Sequence, residues 1–155
     1  MDGREIRNCM GRFATGVTIV TCDTEEGTHG LTANSFTSVS LDPPLVLVSV
    51  DKKTKALKRL KKNCFTVNIL REEQQDVAMH FAGRPLAVPP FDWEEGTLCN
   101  RLKDTLAYIE CEPWAEYDGG DHILYVGKVQ DFKYNEGNPL GYYCGKFSAV
   151  VTKSV

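Results

Sequence analysis

At 155 residues, 42% hydrophobic and 25% charged, the chain is sized for one domain with a single core, 1–155, and is short for two. Its formal net charge of −3 at pH 7 argues against bulk attraction to nucleic acid or an anionic membrane, but not against a local basic pocket for a phosphate. The most apolar uncharged run, residues 43–50, is far shorter than a membrane span. The opening residues mix charges with no apolar signal core, so a cytoplasmic protein without nucleic-acid or membrane partners is expected.

Ile6, Cys9, Met10 and Phe13 recur at helical spacing, the stripe of a short amphipathic helix. Gly16 precedes a β-branched run, residues 17–22, which reads as a strand. Acidic residues and Gly27 make a turn, and a second strand starts near His29. Residues 31–41 alternate small polar and apolar side chains until Asp42, Pro43 and Pro44 interrupt them. Residues 45–50 then read as a strand buried on both faces. Thr54 is a candidate N-cap for a helix carrying Ala56, Leu57 and Leu60 on its apolar side.

A strand is predicted over residues 64–70 and a helix over 72–82, where Val77, Ala78 and Phe81 keep helical spacing. The proline-rich loop 84–92 is the most irregular segment. Strands over 105–116 and 123–134 flank a turn at 118–121. A further turn, 135–139, leads into an aromatic segment, 140–147. The pattern predicts a mainly β fold with two or three helices, closed or nearly closed into a small barrel that removes exposed strand edges.

The six cysteines stand at least twelve positions apart, so C-x-x-C zinc or redox spacing is absent, and the three histidines form no local metal motif. We expect reduced thiols, mostly buried, and no metal. The sequence contains neither G-x-G-x-x-G, nor a Walker loop, nor a G-x-S-x-G elbow. Three segments remain. Thr32, Ala33, Asn34 and Ser35 place small and amide-bearing residues inside an expected strand, where they form either a polar strand face or a reader of a heterocycle's polar edge. Residues 49–54 combine two lysines, two hydroxyls and a helix start, either an anion site or an ordinary capped helix. His122 follows two glycines that let backbone approach a ligand, although a solvated turn histidine is the plainer reading; His29 and His80 have weaker claims.

Taken in order, residues 10–21, 30–45, 67–70, 80–83, 120–122 and 139–147 resemble the flavin-reductase-like family with an FMN-binding split β-barrel. The nearest resemblance is to the small reductase components of two-component aromatic monooxygenases. It implies a homodimer of Greek-key split barrels with the flavin near the subunit interface. It further implies that Thr32, Ala33, Asn34 and Ser35 line the isoalloxazine and ribityl chain, and that Ser49, Asp51, Lys52 and Thr54 hold the flavin phosphate. Phe81 and Ala82 would lie near the rest of the nucleotide, His122 would position the nicotinamide, and Gly145, Lys146 and Phe147 would close the pocket.

The implied activity is hydride transfer from NADH or NADPH to FMN or FAD, with reduced flavin passed to a monooxygenase partner or another electron acceptor. A flavin-binding electron-transfer module without its own nicotinamide activity is the alternative. Residues 84–95 and 148–155 fall outside the resemblance.

Overall fold

The structure, a computed structural model, describes residues 1–54 and 63–154. Helix α1 (Gly3–Met10) is capped by the Asp2 side chain, which accepts from the Arg4 amide at 2.9 Å. Strands β1 (Thr15–Gly16), β2 (Thr18–Thr24), β3 (Gly27–Ala33), β4 (Phe36–Leu41), β5 (Pro44–Asp51) and β6 (Phe65–Ile69) follow. A single 3-10 turn (Glu72–Gln74) leads into α2 (Gln75–Phe81). The remaining strands are β7 (Trp93–Glu94), β8 (Arg101–Leu102), β9 (Ala107–Gly119), β10 (His122–Tyr134), β11 (Leu140–Tyr143) and β12 (Lys146–Ala149). The helix expected beyond Thr54 lies outside the described residues.

Seven strands form one antiparallel sheet in the order β3-β2-β6-β9-β10-β5-β4. Laid flat, its first and last strands would stand about 29 Å apart. Yet β3 and β4 are consecutive, joined only by Asn34 and Ser35, a link that spans about 10 Å at full stretch. The sheet must therefore curl until its two ends meet. They meet without pairing, and the result is a split barrel with a seam between β3 and β4.

The barrel interior is filled by Val20, Cys22, Val46, Val48, Val50, Phe65, Val67, Cys111 and Tyr125. Val46, Val48 and Val50 point inward with strand periodicity, and the intervening residues of β5 are only half-buried, so β5 is not covered on both faces as expected. Both faces are covered in β6, buried from Phe65 to Asn68, and in β2, buried from Thr18 to Cys22. The outer face of β2 is covered because Ile19 joins Val17, Leu70, Val77, Ala78 and Leu102 in a second apolar cluster beneath α2 and the 84–102 segment. Gly127 lies inside the barrel, where an added Cβ would come 2.6 Å from the Phe65 ring.

Two features went unpredicted. The 84–102 segment is a strap: β7 pairs with β8, and the buried amide of Asn68 pins it by accepting from the Leu102 amide at 3.1 Å. Fully buried Glu110 accepts from the Thr97 and Leu98 amides and from the Arg101 guanidinium at 3.1 Å. The aromatic segment 140–147 is not continuous but a hairpin, β11–β12, which with β1 makes a separate three-stranded sheet.

All six cysteines are free thiols; Cys22, Cys99 and Cys111 are buried, whereas Cys9 is exposed. Burial pushes the Cys111 thiol up to about 12 and the Cys99 thiol to about 11. The unfolded chain releases these protons near 9.0, so their contribution to stability is complete below that pH and is lost as pH rises toward the folded values. Denaturant midpoints are thus expected to fall above pH 9, and to fall less in Cys111→Ala; equal profiles for both proteins would contradict the assignment.

Candidate functional site at the barrel seam

At the seam the sequence changes from apolar to small and polar. Thr32 and Ala33 end β3, but Asn34 and Ser35 leave the ladder, a correction to the strand expected through them. The ladder between β4 and β5 reaches only as far as Phe36 opposite Val48. Beyond it the Ser35 hydroxyl replaces a backbone partner, donating to the Ser49 carbonyl at 2.9 Å and accepting from the Ser49 amide at 3.1 Å. That hydroxyl is therefore a rivet across the end of the ladder, with its one proton committed. The neighbouring Asn34 is exposed, and among the described residues its side-chain amide makes no hydrogen bond.

Helix α2 covers one side of the seam. The Thr32 hydroxyl donates to the Ala78 carbonyl at 2.7 Å, tying β3 to the helix. Gly30 lets the Phe81 ring lie against β3, since an added Cβ would stand 2.8 Å from the ring. After Phe81 the helix ends at Gly83, whose φ of 90° allows the Arg84 amide to return to the Met79 carbonyl at 3.1 Å.

On the other side stand β5 and the β9–β10 hairpin. That hairpin turns on two residues, Gly120 and Asp121, with Gly120 at φ 78°, so the strands run closer to the turn than expected and His122 opens β10. The Asp121 carboxylate lies 2.7 Å from His122 Nδ1 and is held below the usual carboxylate range by that contact. A carboxylate only accepts, so Nδ1 carries the proton and Nε2 is the ring nitrogen left for another partner. Lys52 donates its amide to the Asp121 carbonyl at 2.9 Å, and its ammonium pairs with Asp118 at 2.5 Å. The Asp118 carboxylate is lowered by that pairing.

Between these walls lies a cleft of about 470 Å³. It gathers ten of the predicted residues: Thr32, Ala33, Asn34, Ser35, Ser49, Asp51, Thr54, Phe81, Ala82 and His122. Lys52 is not among them, because its ammonium is turned to Asp118. Asp51 and Thr54 are internally engaged: the Asp51 carboxylate accepts from the Lys53 amide at 2.8 Å, and the Thr54 hydroxyl donates to the Asp51 carbonyl. Phe147 lines an adjoining cleft of about 210 Å³ with Val17, Tyr142, Thr32, Asn34 and Ala82; the last three are common to both clefts. Gly145, in the β11–β12 turn, and Lys146, which opens β12, are exposed and lie outside both.

A third cleft, about 530 Å³, opens on the far side of Asn34 and Ser35 and includes Phe13, Phe36 and Leu47. Gly83, Tyr142 and Phe13 were not singled out from the sequence. The one visible signal was that all three fall inside segments that carry the family resemblance, 80–83, 139–147 and 10–21. Among the described residues no group of three or more His, Cys, Asp or Glu side chains is arranged to hold a metal ion.

Fold and seam define a small split barrel that presents polar strand ends, and an amide unpaired among the described residues, to an open cleft. Residues 10–150 match the family described as flavin reductase like domain, and the chain belongs to that family. It is 42% identical over 152 residues to an NADH-dependent flavin reductase from Rhodococcus, covering 94% of this chain and 85% of that one. It is also 42% identical to the reductase component of 4-hydroxyphenylacetate 3-monooxygenase from Thermus thermophilus, over 88% of this chain and 89% of the relative. Among solved structures, the flavin reductase PheA2 in its native state superposes with a TM-score of 0.93 at 43% identity, covering 98% of this chain and 100% of that one.

The rivet is directly testable. Ser35→Ala removes both bonds to Ser49 and is expected to cost about 1–2 kcal/mol of stability. Amide exchange at Ser49 should accelerate, with Ser35→Thr behaving as wild type; unchanged exchange in the alanine variant would exclude the rivet.

Proposed function

We propose that the protein is an NAD(P)H:flavin oxidoreductase that reduces FMN or FAD and supplies the reduced flavin to a monooxygenase partner. The observation that carries this reading is the seam itself: an open strand end, an unpaired Asn34 amide and two clefts that meet there, in a chain of the flavin reductase like family. A flat heterocycle with a polar edge fits these residues, because the end of β3 and Asn34 offer hydrogen bonds at an apolar-floored opening. A bound flavin supplies an acceptor for hydride leaving a nicotinamide ring, and the protein's task is orientation and electrostatics.

Each residue's part follows from what its atoms already do. Asn34 reads the heterocycle's edge with its free amide. Thr32 and Ser35 are committed to Ala78 and Ser49, so they hold the edge of the cleft rigid and offer only lone pairs. Ala33 is buried and keeps the floor small. Phe81 and Ala82 form the wall under α2, and Phe147 closes the adjoining cleft. His122 meets the nicotinamide through Nε2, with Asp121 fixing its ring. Ser49, Asp51 and Thr54 shape the phosphate end, where Lys52 turns from Asp118 to an arriving anion, and Gly145 and Lys146, next to Phe147 on the β11–β12 hairpin, help to close the pocket.

The same reading takes the chain as one domain, working as a homodimer in the cytoplasm. The dimer is supported by an exposed apolar pair at the end of α1: Met10 and, just beyond the helix, Phe13 are 69% and 79% exposed, beside the cleft that Phe13 lines. Sedimentation at the mass of a single chain would contradict it. No helix among the described residues is long and apolar enough to cross a membrane.

The deciding experiment is anaerobic stopped-flow mixing of flavin-reconstituted protein with NADH and then NADPH. Rapid loss of the oxidised flavin band with either donor is expected, and a flavin that binds yet stays oxidised with both would overturn the reductase reading. His122→Ala should raise the KM for the nicotinamide nucleotide about tenfold while flavin remains bound. An unchanged KM would remove His122 from the donor site.

A further inference from the structure

The strap between α2 and β8 lies outside every segment tied to the site by sequence, yet it reaches the cleft wall. Phe81 has the Gly30 backbone on one side and strap aromatics on the other. The Phe91 ring centre stands 4.9 Å from that of Phe81, and that of Trp93 stands 6.0 Å away. Phe91 and Trp93 brace each other edge to face at 4.9 Å, and His80 closes the group 5.1 Å from Phe91. Both ends of the strap are anchored. At one end Gly83 caps α2; at the other Glu94 holds Arg101 at 2.8 Å, and Arg101 in turn holds buried Glu110.

Between the anchors the backbone runs over the surface, and Val88 is 79% exposed. Phe91 and Trp93 are the half-buried residues that turn inward from it, onto the second apolar cluster. The position of Phe81, and so of Ala82 and Gly83 beside it in the cleft, therefore depends on side chains that do not themselves line that cleft.

We propose that Phe91 and Trp93 are positioning residues for flavin binding, holding Phe81 against Gly30 so that 81–83 form the cleft wall. This rests on the flavin reading of the seam. The aromatic contacts act on a wall the flavin touches and not on hydride transfer. Losing them weakens binding without slowing a turnover that starts from the saturated complex.

The test is calorimetric titration of wild type, Trp93→Ala, Trp93→Phe and Val88→Ala with FMN and, separately, FAD. Melting curves and kcat at saturating flavin accompany each titration. Trp93→Ala should raise the flavin Kd about tenfold with full site occupancy and kcat within about twofold of wild type. Trp93→Phe should stay within about threefold, and Val88→Ala should match wild type. A merely structural role would lower the melting point and the number of sites while leaving Kd unchanged, and that result overturns the proposal. If Trp93→Ala does not fold, Phe91→Leu is read by the same criteria. Wild type that takes up neither flavin overturns the flavin reading and this one with it; flavin binding by wild type that Trp93→Ala, or Phe91→Leu in its place, retains at full affinity overturns this one alone.

Discussion

A link of two residues between β3 and β4 governs this molecule. Because those strands stand at opposite ends of a seven-stranded sheet, Asn34 and Ser35 can join them only if the sheet curls into a barrel. Because the residues are small and polar, the ends that meet there do not zip together. Closure would satisfy the strand edges and leave no room for a ligand; the split leaves backbone and amide groups in need of a partner. Ser35 repairs one part of the gap by bonding both backbone groups of Ser49. Helix α2, the β9–β10 hairpin and the strap then surround what is left open.

The positions of the longer strands along the chain were largely legible because β-branched runs bounded by glycines, prolines and acidic turns are local signals. Helix α2 was legible from Val77, Ala78 and Phe81. What was misread depends on contacts distant in sequence. β5 and β2 are both rich in β-branched and aliphatic residues, and periodicity alone does not say which lies under the strap; Ile19 against Leu70, Val77 and Leu102 decides that. The strap's own strands, β7 and β8, are two residues each and carry no period to detect. They are held by Asn68, Glu110 and Arg101, a buried polar set assembled from three parts of the chain. The split of the aromatic segment 140–147 into a hairpin turns on Gly145 at φ 75°, a glycine that chain order alone leaves unremarkable.

The cleft was legible for a different reason. Its residues include types that make poor sense in a packed strand, Thr32 and Asn34 where apolar side chains would stabilise and His122 after a tight turn, and Gly30 behind them makes room for the Phe81 ring. Sequence supplied the residue types but not their commitments. Lys52 was read as a phosphate ligand from the family resemblance and from the lysines, hydroxyls and helix start of residues 49–54, and the structure gives its ammonium a carboxylate partner in Asp118. Phe91 and Trp93 had no signal, because their effect on the cleft passes through Phe81.

The central claim is that the unzipped seam is the flavin site. A crystal structure of the protein soaked with FMN tests it most directly. The account predicts the ring system in the seam, its polar edge on Asn34 and the end of β3, and its flank against the wall formed by Phe81 and Ala82. A flavin seated elsewhere, with the Asn34 amide still unpaired, would contradict it.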